Sequence, residues 1–325
     1  MALRAAVIGG GRVAERHAAA YARNPLTQLV AIVEPLRDRG EALAAAHGAR
    51  WFESAEQLYE AGEAEAVSVC VPHDLHREVA LGAFERSLHV LLEKPIANTL
   101  EDADAIATAA DRAGVVLMLG FVHRFRSESL EAKRMVDAGA IGRPATALDR
   151  FCSLGGEHPP SWVWERERAG GGVLMYGGVH AIDRLRWLLD QEVVSVVARA
   201  HRTHGYGDVE DGLVALLDFS GGASGALFEN SPPYGRPGGW ATEVFGSDGA
   251  IRIQTGEWVE LTTSAGVTRV ESSDDAHFER EIAEFVSAIV EGRSPSVPAE
   301  AGRASLAVAL GAYRSASTGE PVRLG

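Results

Sequence analysis

Three consecutive glycines near the start of the chain are followed by a helical pattern, an apolar run and an acidic residue. An apolar run leads into Gly9, which permits a tight turn out of a strand. Gly11 has no side chain, so a pyrophosphate can approach the backbone. The pyrophosphate then lies at the start of the helix beginning near Arg12 and Val13, where free N–H groups favour an anion. Glu34 ends the second apolar run, and its carboxylate can accept hydrogen bonds from ribose hydroxyls. The order predicts a dinucleotide site, rather than an ordinary turn, for a nicotinamide or flavin cofactor.

A lysine and a histidine further along the chain have the chemistry that oxidation of an alcohol requires. The reaction needs a base for the hydroxyl proton and a cation near the developing alkoxide. Lys94 ends a predicted strand and can supply the cation, the alternative being a surface salt bridge with Glu93. Histidine has an unperturbed pKa of about 6.5, so His180 can exchange a proton near neutrality. The alternative for His180 is a histidine of the core.

The residues around His180 offer further polar contacts. In an α-helix, Tyr176, His180 and Asp183 would share one face. Tyr176 then donates a hydrogen bond to substrate or lines the pocket. Asp183 either fixes the tautomer of the imidazole or pairs with Arg184 or Arg186. Both alternatives for Asp183 remain open from the sequence.

The elements that must hold these residues fall into two groups. Residues 1–122 alternate strand and helix, which predicts an α/β, Rossmann-type doubly wound parallel sheet. Residues 123–325 are rich in strands joined by short turns, which predicts an α+β domain with a large, mainly antiparallel open sheet. Helices predicted over 178–189, 275–291 and 300–318 should cover one face of that sheet.

Composition limits the partners and the compartment. The net charge of −14 argues against nucleic acid or an anionic membrane. Two scattered cysteines and no predicted leader favour a reduced, cytoplasmic setting. Histidines and acids between residues 201 and 211 lack metal-ligand spacing, so no metal is predicted.

Four segments together resemble the glucose–fructose oxidoreductase / inositol dehydrogenase / MocA family. They are the glycine turn followed by His17, the segment 71–76 (VPHDLH), the segment 93–95 (EKP), and the glycine-rich segment 170–183 (GGGVLMYGGVHAID). The resemblance runs nearly end to end and is specific for the family, not for a substrate.

The resemblance implies NAD(P)-dependent exchange of a hydride with a secondary alcohol or ketone of a sugar, a sugar derivative or a cyclitol. It implies that Lys94 lies near the nicotinamide and that His180 is the catalytic histidine. Tyr176 departs from the family, which often has Asp there. This departure keeps two rivals open: a glycosidase-like member that retains NAD for transient oxidation, and a sensor that binds cofactor without turnover.

Other residues are expected around the cofactor and substrate. Pro72 and His76 follow a strand end and are predicted beside the cofactor, although His76 could lie on a helix surface. Arg124 matches a frequent arginine of the family and is predicted to bind substrate. Trp162 could stack on a sugar ring or pack its own loop. Glu34 predicts a preference for NAD, although some use of NADP remains open. An uncovered face of the second sheet predicts a homodimer or homotetramer.

Overall fold

The computed structural model describes residues 2–152, 160–233, 239–272 and 274–325. Contacts between Cα atoms divide the chain into two units. The first unit runs to Val122 and also contains Ala276–Arg303, whereas the second contains His123–Asp275 and Ala304–Gly325. The sequence predicts a single division after residue 122. The structure has a division there, and it groups the segment 276–303 with the first unit.

Strands and helices alternate along the first unit, as the pattern of apolar runs predicts. Its strands are β1 (Leu3–Ile8), β2 (Thr27–Val33), β3 (Arg50–Phe52), β4 (Ala66–Val69), β5 (His89–Glu93) and β6 (Leu117–Gly120). Its helices up to Val122 are α1 (Arg12–Arg23), α2 (Arg37–His47), α3 (Ala55–Ala61), α4 (His76–Phe84) and α5 (Leu100–Ala113).

These strands form one parallel sheet in the order β3-β2-β1-β4-β5-β6. All of β4 and β6 is buried, because helices cover both faces of such a sheet. The chain order reverses between β1 and β4, and open sheets of this kind bind ligands beyond the strand ends at that point. The glycine turn lies directly after β1. The predicted Rossmann-type sheet is confirmed.

The second unit contains the strand-rich part of the chain. Its strands are β7 (Pro144–Cys152), β8 (Val193–His201), β9 (Gly212–Phe219), β10 (Ser224–Asn230), β11 (Trp240–Gly246), β12 (Gly249–Gln254), β13 (Trp258–Thr263), β14 (Gly266–Glu271) and β15 (Val322–Arg323). The remaining helices of the chain are α6 (Ser127–Asp137), α7 (Arg166–Ala169), α8 (Val179–Leu189), α9 (His277–Glu291) and α10 (Ala299–Thr318).

In the second sheet the strands follow the order β14-β13-β12-β11-β7-β10-β9-β8-β15. Neighbouring strands in this sheet are antiparallel, except that β7 and β10 run parallel to each other. The prediction of a mainly antiparallel sheet is confirmed. Along β9, Leu213 and Leu217 are buried, whereas Leu216 is 61% exposed. Helix α10 lies over the buried face, where Ser315 Oγ accepts a hydrogen bond from the amide of Ala198 at 3.0 Å.

The helix predicted over 275–291 does not cover this sheet, contrary to expectation. It is α9, which belongs to the first unit and packs on α1. The ring of Phe278 lies 5.5 Å from that of His17, and Glu281 is fully buried. An amphipathic pattern predicts that one face of a helix is buried but carries no information about its partner. None of the helices in the described part of the chain is long and apolar enough to cross a membrane.

Candidate active site

The glycine turn has the shape that a bound pyrophosphate requires. Gly9 has a φ of +116°, and a Cβ there would lie 2.3 Å from the carbonyl oxygen of Cys70, so only glycine fits. Gly11 precedes α1 without a capping side chain, and a Cβ there would meet nothing within 4 Å. Ala14, where helix and strand pack closely, is fully buried. The first amides of α1, at Arg12 and Val13, therefore face an open approach, which fits a dinucleotide.

Glu34 is held beside this turn. It follows β2, is 3% exposed, and accepts hydrogen bonds from the amide of Leu36 at 3.0 Å and from Arg39 at 2.6 Å. A Cβ on Gly10 would lie 2.6 Å from its Oε2 atom. The carboxylate thus lies against the backbone of the turn.

A chain of hydrogen bonds fixes Glu93, the residue before Lys94. Tyr21 Oη lies 2.9 Å from Ser68 Oγ, which lies 3.0 Å from His17 Nδ1. His17 Nε2 lies 3.2 Å from Glu93 Oε1. Because a carboxylate only accepts, Nε2 carries a proton and donates to Glu93. Sequence reasoning noted His17 only as part of the family motif and did not predict this contact.

Burial and the same contacts shift the pKa values of Glu93 and Lys94. Burial raises the pKa of Glu93, but the His17 hydrogen bond and the charges of His17 and Lys94 outweigh it, so that the pKa is lowered. Burial lowers the pKa of Lys94, and Glu93 opposes that shift. Glu93 Oε2 also accepts from the amide of Lys94 at 3.3 Å. Glu93 therefore fixes the backbone from which the Lys94 side chain extends.

His76 is fully buried, so the alternative of a helix-surface histidine is wrong. Its Nδ1 lies 2.8 Å from the carbonyl oxygen of Pro95, and its Nε2 lies 3.1 Å from that of Val71. Burial lowers the pKa of His76. Its ring ties the turn after Lys94 to the segment around Pro72.

The sequence predicts no metal, and the structure brings together three groups that the prediction did not consider. Ligand atoms of His17, Glu93 and Glu281 lie within 4.8 Å of one another. Both nitrogens of His17 already lie within hydrogen-bonding distance of protein oxygens. Burial, and then the charge of Glu93, raise the pKa of Glu281 well above its usual value, which favours a proton on this carboxyl group. We assign a hydrogen-bonded pair of His17 and Glu93 with the buried carboxyl group of Glu281 beside it.

In the second unit, Tyr176 lies within a π-helical turn, Leu174–Gly178, which runs directly into α8. The predicted sharing of one face assumes an α-helix, and a π turn is wider. Tyr176 is half-buried, whereas His180 is 7% exposed. Glu210 holds the start of this turn, because its carboxylate accepts from the amides of Gly172 at 2.9 Å and Leu174 at 3.1 Å.

His180 lies in an aromatic and ionic cluster that sequence reasoning did not predict. Its ring is 4.5 Å from that of His123 and 6.1 Å from that of Trp240. Asp149 accepts hydrogen bonds from Arg184 at 2.7 Å and from the indole N–H of Trp240 at 2.7 Å. The cluster joins residues from α8, β7, β11 and the segment after β6. No local sequence pattern could therefore predict it.

The closest partner of Asp183 is one that the sequence did not suggest, Arg124. Its carboxylate accepts from Arg124 Nε at 2.7 Å and from a terminal nitrogen of Arg124 at 2.6 Å. Arg186 lies farther away, at 3.9 Å. Arg124, expected to bind substrate, thus ties the chain after β6 to α8. Trp162 is half-buried in a single 3-10 turn, Ser161–Trp164.

The predicted residues fall into two groups, each held within one unit. The first unit holds those predicted for the cofactor and Lys94: Gly9, Gly11, Arg12, Val13, Glu34, Pro72, His76, Glu93 and Lys94. The second unit holds those predicted for substrate and proton transfer: Arg124, Trp162, Tyr176, His180 and Asp183.

Comparison with known proteins identifies both parts of the chain. The family model described as "Oxidoreductase family, NAD-binding Rossmann fold" matches residues 3–121, and the "GFO/IDH/MocA C-terminal domain" matches residues 129–252. The 1,5-anhydro-D-fructose reductase of Ensifer adhaerens is 32% identical over 98% of this chain and 97% of its own. The scyllo-inositol 2-dehydrogenase (NAD(+)) of Bacillus subtilis is 28% identical over 99% and 96%.

The fold is shared with a solved structure as well. The crystal structure of aldose-aldose oxidoreductase from Caulobacter crescentus, complexed with glycerol, superposes with a TM-score of 0.91 at 26% identity and covers 100% of both chains. The glycine turn, the EKP segment and the histidine of α8 all lie within the matched lengths. This chain therefore belongs to the Gfo/Idh/MocA family of NAD-binding oxidoreductases.

Proposed function

We propose that the protein transfers a hydride between NAD and a secondary alcohol or ketone of a sugar, a sugar derivative or a cyclitol. The observation that carries the proposal is the buried imidazole of His180 at the start of α8, whose ring lies 4.5 Å from that of His123. Two relatives are named for an anhydrosugar reaction and for an inositol reaction, which supports this substrate class.

NAD, when bound, would supply the acceptor for the hydride, and the residues of this chain would supply the rest. His180 takes the proton of the reacting hydroxyl and returns it in the reverse direction. Lys94 orients the reacting oxygen and stabilises its developing negative charge. Tyr176 donates a hydrogen bond to substrate in place of the carboxylate common in the family. Glu34 binds the ribose hydroxyls and favours NAD over NADP.

We propose further that the first 122 residues form the cofactor-binding domain and that the sheet of residues 123–325 binds substrate and a second copy of the chain. The open sheet face carries exposed apolar side chains, among them Val214, Leu216, Phe228 and Phe245. A homodimer or homotetramer would bury this face. Two free cysteines support a cytoplasmic location.

The test is a screen of the purified protein with NAD⁺ against sugars, amino- and deoxy-sugars and cyclitols, and with NADH against the matching ketones. We expect NADH absorbance to change with at least one compound of this class. Tight binding of NAD⁺ without turnover of any compound in either direction would refute the proposed activity.

A further inference from the structure

Glu229 is a buried carboxyl group that the proposed mechanism does not use. It lies on β10, on the sheet face that the helices cover, together with the fully buried Leu227. Glu229 is 1% exposed, and neither of its carboxyl oxygens has a hydrogen-bond partner among the described residues. A buried polar group without a partner destabilises a fold, so its presence calls for a functional explanation.

The position of Glu229 connects it with His180. A Cβ on Gly178, two residues before His180, would lie 3.2 Å from the carboxyl carbon of Glu229. Phe151 is the partner of Glu229 across the parallel strands, and its ring lies 4.4 Å from that of Trp240. The carboxyl group therefore lies under the π turn and beside the aromatic cluster that holds His180.

The backbone of the π turn at Gly178 packs closely against the carboxyl group. A Cβ on Gly177 would lie 2.5 Å from the Phe151 ring, just as one on Gly178 would approach Glu229. Two successive glycines thus permit a close approach of backbone to Phe151 and Glu229. A side chain at Gly178 would crowd the carboxyl group, and one at Gly177 would crowd the Phe151 ring.

The surroundings of Glu229 favour the protonated form of its carboxyl group. Burial and the charge of Asp149 raise its pKa well above the usual value, and Arg184 opposes this. Arg184 is itself engaged by Asp149 at 2.7 Å. A protonated carboxyl group has one O–H donor and retains acceptor capacity. It can therefore both donate to and accept from a hydroxyl group.

We propose that Glu229 is a substrate-recognition residue that binds a non-reacting hydroxyl of the sugar or cyclitol, which donates to and accepts from its carboxyl group. The ligand supplies the partner that the two oxygens lack. This assignment rests on the proposed function for the class of ligand, but not on which hydroxyl is oxidised. It predicts that affinity depends on one hydroxyl distant from the reacting carbon.

The test compares three substitutions on one strand. Glu229→Gln keeps a neutral donor and acceptor, Glu229→Leu removes both at similar size, and Leu227→Met, on the same face, is the matched control. For each we would measure the ligand-induced rise in Tm over the sugar and cyclitol panel, the KM and kcat for any compound turned over, and the Tm without ligand.

We expect Glu229→Leu to weaken the affinity for the ligand, or raise its KM, by about tenfold, with the affinity for NAD and kcat little changed. Its Tm without ligand should equal or exceed that of the wild type, because an unpartnered polar group is removed. The ligand affinity and the KM of Glu229→Gln and of Leu227→Met should stay within about threefold of the wild-type values. If Glu229→Leu does not fold, Glu229→Met takes its place.

Wild-type affinity retained by Glu229→Leu would overturn the assignment. So would a parallel loss of Tm and NAD affinity, which would make Glu229 a structural residue. Failure of every panel compound to bind the wild type would also overturn it. Binding without turnover would instead refute the proposed activity, and the Glu229 comparison would still be decided by the Tm shifts.

Discussion

Asp183 binds Arg124 at two points, with distances of 2.7 and 2.6 Å between the carboxylate oxygens and the guanidinium nitrogens. The side chains are 2% and 12% exposed. Asp183 lies in α8, one turn after His180, and Arg124 follows β6. The pair therefore fixes the helix that carries the proposed acid/base relative to the segment that follows β6, and both residues lie within the second unit.

Replacing Asp183 with Asn should destabilise the protein by about 3 kcal/mol, because it leaves a buried guanidinium without its counter-charge. Urea unfolding measures the change. The control is Glu131→Gln, which removes a carboxylate from a similar two-point pair with Arg134 at 2.7 and 2.5 Å on the exposed side of α6. That change should cost less than about 1 kcal/mol. Equal losses would show that Asp183 does not anchor α8.

His180, Lys94 and Tyr176 should differ in how their loss affects turnover. His180→Ala should lower kcat by roughly 10²–10⁴ and leave NAD affinity near that of the wild type. Lys94→Ala should weaken turnover and NAD affinity together, and Tyr176→Phe should mainly raise KM. Steady-state kinetics and NAD titrations measure these effects. A near-normal His180→Ala with an inactive Tyr176→Phe would make the tyrosine the acid/base.

The position of Glu34 predicts cofactor preference. Its carboxylate lies against Gly10 and is paired with Arg39 at 2.6 Å. We expect a higher kcat/KM with NAD than with NADP. Glu34→Ala should narrow the difference, because it removes the repulsion of a 2′-phosphate and leaves Arg39 to attract it. Glu41→Ala, in α2 and paired with Arg37, is the control. Equal or better kcat/KM of the wild type with NADP would contradict the prediction.

If the uncovered face of the second sheet forms the contact between copies of the chain, a charge placed on it should change the oligomeric state. Leu216 is 61% exposed on that face, and Val290 is 67% exposed on α9. Leu216→Glu places a charge in the proposed contact and should shift the mass measured by light scattering towards the monomer. Val290→Glu adds the same charge elsewhere and should leave the mass unchanged. A monomeric wild type at micromolar concentration would refute the oligomer.

The strands were predictable because each is a short apolar run bounded by turn residues. In β9, neighbouring residues such as Leu216 and Leu217 lie on opposite faces and differ in exposure, and the run ends at the turn 220–222. The glycine turn was predictable because strand, turn, helix and acid stand in order within 34 residues. By contrast, the packing of α9 on α1 depends on a contact between distant segments, and an amphipathic pattern does not name its partner.

The surroundings of His180 were unpredictable for the same reason. His123, Asp149 and Trp240 come from separate parts of the chain and meet only when the nine-stranded sheet has formed. Asp183 illustrates the point at short range. Arg184 and Arg186 were the near candidates, yet the side chain binds Arg124, which lies 59 residues away.

Glu281 predicts how stability should depend on pH. Its pKa is raised well above the usual 4.5, chiefly by burial and then by the charge of Glu93, and His17 Nε2 lies 3.7 Å away. The folded state therefore holds a proton that the unfolded state releases above pH 4.5. Where the folded state binds more protons, stability falls as pH rises, with a slope of up to about 1.4 kcal/mol per pH unit. The loss runs from the unfolded pKa up to the folded pKa.

Glu281→Gln keeps the size and removes this titration, so it should raise the Tm relative to the wild type at pH 8 and have less effect at pH 5.

Glu284, on the same helix, is the control of opposite sign. Arg293 and Ser296 lower its pKa, so the stability it contributes is present above the unfolded pKa and is lost as pH falls through the folded pKa. Glu284→Gln should therefore lower the Tm at neutral pH and lose that effect in acid. Thermal unfolding between pH 3 and pH 8 measures both. A Glu281→Gln variant whose Tm difference from the wild type is independent of pH would show that Glu281 does not hold an extra proton in the folded state.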